Sequence, residues 1–467
     1  MERKITRRFE EWRANPSRKP MILTGCRQIG KTYSVLEFAE REYRSFVYIN
    51  FEVDPDKRML FDGSLDPGSL VPRITLSERT RLYPGESLIV LDEIQNCPNA
   101  YSALKPLFYD GRFDVIGLGS FLGVNLDDED SRISPLGHVE VIRMHPMDFE
   151  EYLWAMGIKR ELVDEVARCI RSREEVPEYF NRILTEHFRR YMVVGGMPEA
   201  VGIYARTSDY SRAAKALDDI ITLLMKDAGR YSRKAGREKI NACFRSIPRQ
   251  LSREDKRFHY SDVEKRKNSG RRMYGNSLAW LEEAGLTIRC NNLTEPVMPL
   301  SERESEDSFK IYMADTGILM RLMPDTDPAL VVLNDPNVNH GALMENAVAS
   351  ALSKKGYTPC FYSRRDSTLE IDFVIGYGGR VALMEVKSGR NRRAKSLRTL
   401  MSERAANRDG YKIMDTNVEV DTDGIVHLPI YAASLLEDHV VGGIPDVGTD
   451  ADTVNRMFDE YMAGKAP

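Results

Sequence analysis

The stretch Met21-Ile-Leu-Thr24-Gly25-Cys26-Arg27-Gln28-Ile29-Gly30-Lys31-Thr32 decides how the chain is read. Residues 25–32 fit G-x-x-x-x-G-K-[ST] and stand between a short apolar run and a helical stretch, TYSVLEFAEREY, the strand-to-helix context that the pattern requires. Glycine at 25 and 30 lets the backbone wrap a phosphate without Cβ clashes and turns successive N–H groups and a helix N-terminus toward negative charge. Gly25, Cys26, Arg27, Gln28, Ile29, Gly30, Lys31 and Thr32 are therefore the expected nucleotide-binding set. Lys31 is expected to reach the β- and γ-phosphates of ATP, and the Thr32 hydroxyl to ligate Mg²⁺.

Working outward, the apolar runs FVYINF (46–51), SLIVLDE (87–93) and FDVIGLGS (113–120) alternate with helical segments. That alternation predicts an α/β fold with a doubly wound parallel sheet, the P-loop NTPase arrangement. The run Leu88-Ile-Val-Leu91 ends in Asp92-Glu93, at the strand end where open α/β sheets bind ligands. Asp92 is the expected second metal residue, and Glu93 the group that polarises an attacking water. Ser120, at the end of the next strand, is a further catalytic candidate for orienting that water or the γ-phosphate. An acidic pair after a strand is by itself more often a cap or turn; beside the glycine loop it points to a hydrolase.

The chain has 467 residues, 42% hydrophobic and 30% charged, which suits several globular cores and excludes collagen-like, disulfide-scaffold and wholly disordered classes. Its six cysteines include no C-x-x-C pair, so neither a zinc site nor a redox motif is indicated, and a reducing cytoplasm is the expected location. The N-terminus is charged from its second residue and no apolar run approaches the ~18 residues of a membrane span, so neither a signal peptide nor a membrane partner is expected.

Five regions follow from the pattern. Residues 1–145 read as the P-loop core, and 146–235 as a helical lid or connector. Residues 236–330 read as helices followed by a two-stranded hairpin, LTIRCNN and FKIYMAD around the acidic loop SERESEDS, which suggests a winged helix-turn-helix. Residues 335–440 read as a last α/β unit, and 441–467 as an acidic tail. Net charge is −4, but Ala228–Tyr274 holds 15 Lys/Arg against 5 Asp/Glu, while Asp415–Pro467 holds 2 against 11. A basic stretch is either a solvated helix face or a surface for an anionic partner such as nucleic acid.

Taken together, GCRQIGKT, LIVLDEIQNCP, GLGSFLGV, MHPMDFEEYLWAMG, YMVVGGMPEAV, FKIYMADTGIL, GALMENAVA and EIDFVIG…LMEVKSG resemble the bacterial and archaeal AAA-type ATPases with a C-terminal domain of unknown function. The resemblance covers about Lys19 to Val440. It implies an ATPase, with a ring as one form of self-association. Where members carry Gly-Arg this chain has Gly137-His138, which leaves Arg132, Arg143 and Arg230 as candidates for a sensor or finger arginine.

In the last unit, Glu345 falls on a helix, Glu370-Ile-Asp372 on a strand and Glu385-Val-Lys387 on the next. Positions two apart in a strand share a face, so Glu385 pairs with Lys387 and Glu370 with Asp372. Asp372 with Glu385 could hold Mg²⁺ while Lys387 activates water; this looks like the PD-(D/E)XK nuclease core, with Glu345 as its helical acid and Ser363 and Arg364 near phosphate. The plain alternative is salt-bridged strand ends. From Lys387 to Lys412 the chain holds nine Lys/Arg against two acids, for which phosphate contacts are the simplest use. The expected function is Mg²⁺-dependent ATP hydrolysis that repositions the winged helix and nuclease-like unit on nucleic acid, DNA ahead of RNA. The alternative is a nucleotide-gated interaction protein with slow hydrolysis and a catalytically inactive C-terminal unit.

Overall fold

The structure, a computed structural model, describes residues 1–119, 137–228, 234–264, 270–336, 338, 340–364, 369–389, 394–403 and 408–439. The first unit comprises α1 (Ile5–Ala14), β1 (Met21–Thr24), α2 (Lys31–Glu42), β2 (Ser45–Asn50), α3 (Pro67–Glu78), β3 (Ser87–Asp92), α4 (Pro98–Asp110), β4 (Asp114–Gly119) and β5 (Glu140–Arg143). Its five strands are all parallel, in the order β2-β3-β4-β1-β5. Side chains alternate across the sheet as a period of two requires. Ile22, Ile89, Leu91 and Val115 meet α3 and α4 on one face, and Met21, Leu23, Leu88, Val90, Ile116 and Leu118 meet Phe9 and Phe38 of α1 and α2 on the other. Both faces are covered, which is why every residue of β3 is buried.

The helical region follows as α5 (Phe149–Ala155), α6 (Arg160–Ser172), α7 (Glu178–Val194), α8 (Pro198–Thr207) and α9 (Tyr210–Asp227). Asp148 and Glu151 start α5 with a reciprocal capping box, each side chain accepting the other's backbone N–H. Next come α10 (Lys234–Leu251), α11 (Arg271–Glu283), β6 (Thr287–Leu293) and β7 (Glu304–Met313). The acidic segment read as a loop is largely strand, because β7 begins at Glu304 and pairs with β6 through an irregularity at Asn291/Asn292. The chain continues through α12 (Thr316–Arg321), α13 (Pro328–Val332), α14 (His340–Lys354), β8 (Cys360–Ser363), β9 (Glu370–Tyr377), β10 (Arg380–Val386), α15 (Lys395–Ser402), β11 (Arg408–Met414), β12 (Glu419–Val420) and β13 (Val426–Pro429).

The hairpin β6–β7 is not a free wing. It forms the edge of an eight-stranded sheet ordered β12-β13-β11-β10-β9-β8-β6-β7, joined by parallel pairing of β6 with β8, so the boundary near residue 330 divides the sequence but not the sheet. Within it β8, β9 and β10 form an antiparallel meander, and β11 lies parallel to β10 after the α15 crossover. All six cysteines are buried free thiols. Among the described residues no helix is long and apolar enough to cross a membrane.

Two glycine turns join the helical region to this sheet. Asp315 caps α12 by accepting from Ile318 N at 3.0 Å, and its other oxygen accepts from Gly196 N at 2.6 Å. A Cβ at Gly196 would lie 1.9 Å from Met147 O, and one at Gly317 would lie 2.4 Å from Val194 O. Backbone that close leaves no room for a methyl group. Gly196→Ala is accordingly expected to lower stability in chemical denaturation by about 1–3 kcal/mol, whereas Gly389→Ala, with open space around its Cβ, should stay within about 0.5 kcal/mol.

Candidate functional site

The loop after β1 is shaped by backbone conformations that side chains resist. Gly25 has φ +140°, Gly30 φ +88° and Gln28 φ +66°. β5 pairs with β1 along its whole length, and Met144 N just beyond it donates to Thr24 O at 2.8 Å. This brings the Met144 carbonyl to 2.3 Å from where a Cβ of Gly25 would stand, so only glycine fits there. The Ile29 carbonyl accepts from Arg3 Nη1 at 2.7 Å; the same guanidinium donates to Glu151 Oε1 at 3.0 Å and His145 O at 2.8 Å.

Lys31 opens α2, and its Nζ donates to the carbonyls of Gly25 and Cys26, both at 2.9 Å. The amine is buried inside the loop's curve, and desolvation pulls its pKa below the ordinary lysine value. One residue on, Thr32 Oγ1 donates to Asp92 Oδ2 at 2.9 Å, an oxygen that also accepts from Tyr48 Oη at 2.7 Å and Asn50 Nδ2 at 3.2 Å. The strand ends thus bring Lys31, Thr32 and Asp92 together across β4, which separates β1 from β3.

Glu93 leaves β3 with φ +51°, a left-handed conformation uncommon for a carboxylate residue, which turns it away from the strand direction. Gln95 Nε2 donates to Glu93 Oε2, and Arg27 Nη2 stands 4.0 Å from that oxygen. Burial pushes the Glu93 carboxyl above its usual pKa, with Arg27 opposing. Arg27 also bonds Glu52 Oε2 at 3.1 Å and pairs with Asp227 Oδ2 at 3.0 Å, linking the loop to the end of α9. Arg3, Glu52 and Asp227 escape sequence reasoning because they belong to no motif and come together only through the fold.

The C-terminal acids also converge, around lysines rather than around a cation cage. Glu345, almost fully buried on α14, forms an ion pair with Lys256 and accepts from Tyr312 Oη at 3.2 Å. Lys310 of β7, with no exposed surface, stands 4.0 Å from Glu345 and 2.7 Å from Glu370. Asp372 Oδ2 accepts from Val386 N at 2.8 Å, and Lys387 Nζ pairs with Glu385 Oε1 at 2.9 Å. Burial and Asp372 push the Glu345 carboxyl up, while Lys310 works against them. For Lys310 burial opposes the charge, and Glu345, Asp372 and Glu370 overcome it to hold the ammonium protonated. Among the described residues no group of three or more His, Cys, Asp or Glu is placed to hold a metal ion. Lys256 and Lys310, neither of which the sequence pattern signalled, pair with Glu345 and Glu370, while Lys387 pairs with one oxygen of Glu385 and leaves Oε2 without a partner. Ser363 and Arg364 are engaged internally, by Arg257 at 2.7 Å and Glu403 at 2.7 Å.

Residues 17–153 match the AAA domain. Residues 185–329 match a domain of unknown function (DUF8612) and 340–432 a second (DUF4143). No curated protein matches the chain. Among solved structures, the ORC1 protein of Aeropyrum pernix in complex with DNA is similar over 73% of this chain and 91% of that chain, at 14% identity and a TM-score of 0.27. Domain III of the Thermotoga maritima replication initiation protein DnaA is similar over 46% and 91%, at 18% identity and a TM-score of 0.25. The STAND protein PH0952 of Pyrococcus horikoshii is similar over 76% and 48%, at 13% identity and a TM-score of 0.24. At such scores these likenesses carry no further weight.

The AAA domain therefore contains Gly25–Thr32, Asp92 and Glu93. Ser120, Arg132 and Arg230 lie outside the described residues. Arg143 stands at the Gly285 turn, close to Cys26 of the phosphate loop. Its Nη2 donates to the carbonyls of Glu282 at 2.9 Å and Glu283 at 3.4 Å, capping the negative end of α11. The turn after α11 abuts the AAA domain, since a Cβ at Gly285 would lie 3.7 Å from Cys26 N.

Lys310→Met is expected to destabilise the fold by about 3–5 kcal/mol in urea titrations, because it leaves buried carboxylates without their ammonium. The deficit should shrink as pH falls and Glu345 takes up a proton, since a neutral acid tolerates burial.

Proposed function

We propose that the AAA domain binds and hydrolyses Mg·ATP at the 25–32 loop. The observation that carries this reading is the Thr32–Asp92 hydrogen bond beside a buried Lys31. The residues fit the group: a glycine cradle that a Cβ would fill, an ammonium folded into it, and a hydroxyl and carboxylate 2.9 Å apart. Magnesium, when bound with ATP, neutralises phosphate charge. Backbone N–H groups of the loop and Lys31 hold the phosphates, Thr32 and Asp92 hold the metal, Glu93 orients water and takes up its proton, and Ser120 supports that water.

We further infer that residues 234–313 act on nucleic acid, with duplex DNA ahead of RNA. Support comes from the outer face of α11, where Arg272, Asn276 and Ala279 are exposed. Arg or Asn on an exposed helix suits major-groove edges. Arg271 is exposed too but pairs with Glu306 of β7 at 3.3 Å, so the acidic hairpin competes with phosphate for it. The helix, meander and crossover strand of 340–414 keep the order of a nuclease-like core. The lysines at Glu345 favour the version of this reading in which that unit does not cleave nucleic acid.

Purified protein should turn over ATP with Mg²⁺. Lys31→Ala should lose binding and turnover, and Glu93→Gln should keep binding while losing turnover by about 10²–10⁴-fold; full activity in both variants would overturn the assignment. The acid limb of the pH–rate profile should inflect above the ordinary carboxylate value, since burial raises the Glu93 pKa and its charged form is the competent one. Affinity for duplex DNA, measured by anisotropy, should fall linearly with log salt concentration and weaken in Arg272→Ala. Affinity indifferent to salt would count against a phosphate-backbone partner.

A further inference from the structure

Two cavities, of about 390 and about 200 Å³, meet between the AAA domain and the C-terminal unit, and Arg143, His145 and Lys354 line both. Arg143 ends β5, His145 lies two residues on, and Lys354 ends α14, so the walls come from opposite halves of the chain. None of residues 25–32 lines either cavity.

Most cations around this cleft are already matched. Arg3 pairs with Glu151 at 3.0 Å, Lys355 with Asp438 at 3.3 Å and Arg289 with Glu282 at 2.7 Å. Lys354 and Arg143 are different. Lys354 Nζ donates to Met147 O at 3.1 Å and Tyr191 Oη at 3.0 Å, and Arg143 donates to the two α11 carbonyls; neither forms an ion pair with a carboxylate among the described residues. The acids that act on Lys354 from further away are committed elsewhere: Asp315 to Gly196 and Ile318, Asp148 to Lys4, and Glu151 to Arg3. Desolvation pulls the Lys354 pKa down, the cost of keeping an ammonium here without a counter-ion.

Thr287 lines the smaller cavity with Arg143 and Lys354. His145, held to a pKa of about 4 by burial and by Lys354 and Arg143, is neutral near pH 7 and adds one ring N–H.

We propose that this interdomain cleft binds a phosphoryl group, carried by a small phosphate ester or by a nucleic-acid backbone. Arg143 and Lys354 supply the charge, His145 supplies a neutral donor, and the combined space suits a nucleotide-sized ligand. None of residues 25–32 lines the cleft, but Arg143 and Gly285 also border Cys26, so its test is run in the Lys31→Ala protein, where nucleotide at the loop does not contribute.

Full-length Lys31→Ala protein is titrated by calorimetry with inorganic phosphate, AMP, adenosine and a 20-nucleotide single strand, and again after adding Lys354→Met or Arg143→Gln. At least one phosphoryl probe is expected to bind, adenosine is not, and each added substitution should weaken binding about tenfold or more, the loss of one charge-assisted hydrogen bond. Tight binding of AMP alone assigns a small ester, and competition between the strand and phosphate assigns a nucleic-acid backbone; either supports the site. Lys354→Met removes a buried charge that lacks a counter-ion, so its ligand-free thermal midpoint should not fall, and the exposed Arg143→Gln provides a second reading. No binding by any phosphoryl probe, or binding unchanged in both variants, overturns the proposal.

Discussion

The constraint on which the phosphate loop depends is the passage of Gly25 beneath the Met144 carbonyl. That approach exists because β5 runs parallel to β1 along its full length, and it fixes the direction in which the phosphate loop turns. Three other holds complete the loop: Arg3 on the Ile29 carbonyl, Lys31 on the carbonyls of Gly25 and Cys26, and Arg27 on carboxylates from beyond β2 and from α9. The loop is thus pinned by backbone geometry on one side and by ion pairs on the other. Competition for Arg27 or Lys31 by an incoming phosphate changes contacts to three separate elements.

Described residues of the rest of the chain meet this unit through close backbone approaches. Gly195, Gly196 and Gly317 interlock around Asp315, the turn at Gly285 abuts Cys26, and Arg143 caps α11. Since β6 pairs with β8, α11 and the C-terminal strands share one framework. The loop, the basic helix and the eight-stranded sheet are thus joined through packed contacts.

Much of this was legible in the sequence. The four parallel strands begin and end within a residue or two of the apolar runs, because strands buried on both faces must be continuously apolar. The glycine loop and Asp92 announce themselves by residue type, since few other sequences satisfy that chemistry. β5 was not legible: EVIR is short and mostly exposed, an edge strand whose place is set by its neighbour. Nor was the fusion of the hairpin to the last sheet, because pairing of β6 with β8 joins residues some seventy apart and leaves no local trace. The acids of the last unit stand in a cluster with lysine partners that the pattern did not announce. Lys256 and Lys310 lie in the preceding region, and nothing in the spacing of Glu345, Asp372 and Glu385 calls for them. Arg143 was one of three candidates for a sensor or finger arginine by residue type, whereas its hydrogen bonds go to the end of a helix more than a hundred residues away.

The central claim is that the loop at 25–32 receives the phosphates of Mg·ATP. Its most direct test is a crystal structure with a non-hydrolysable ATP analogue and Mg²⁺. The account predicts phosphate density over the backbone N–H groups of residues 25–32, with Lys31 Nζ withdrawn from the carbonyls of Gly25 and Cys26 onto that density and the metal between Thr32 and Asp92. Nucleotide bound elsewhere at saturating concentration, with Lys31 still on those two carbonyls, would contradict it.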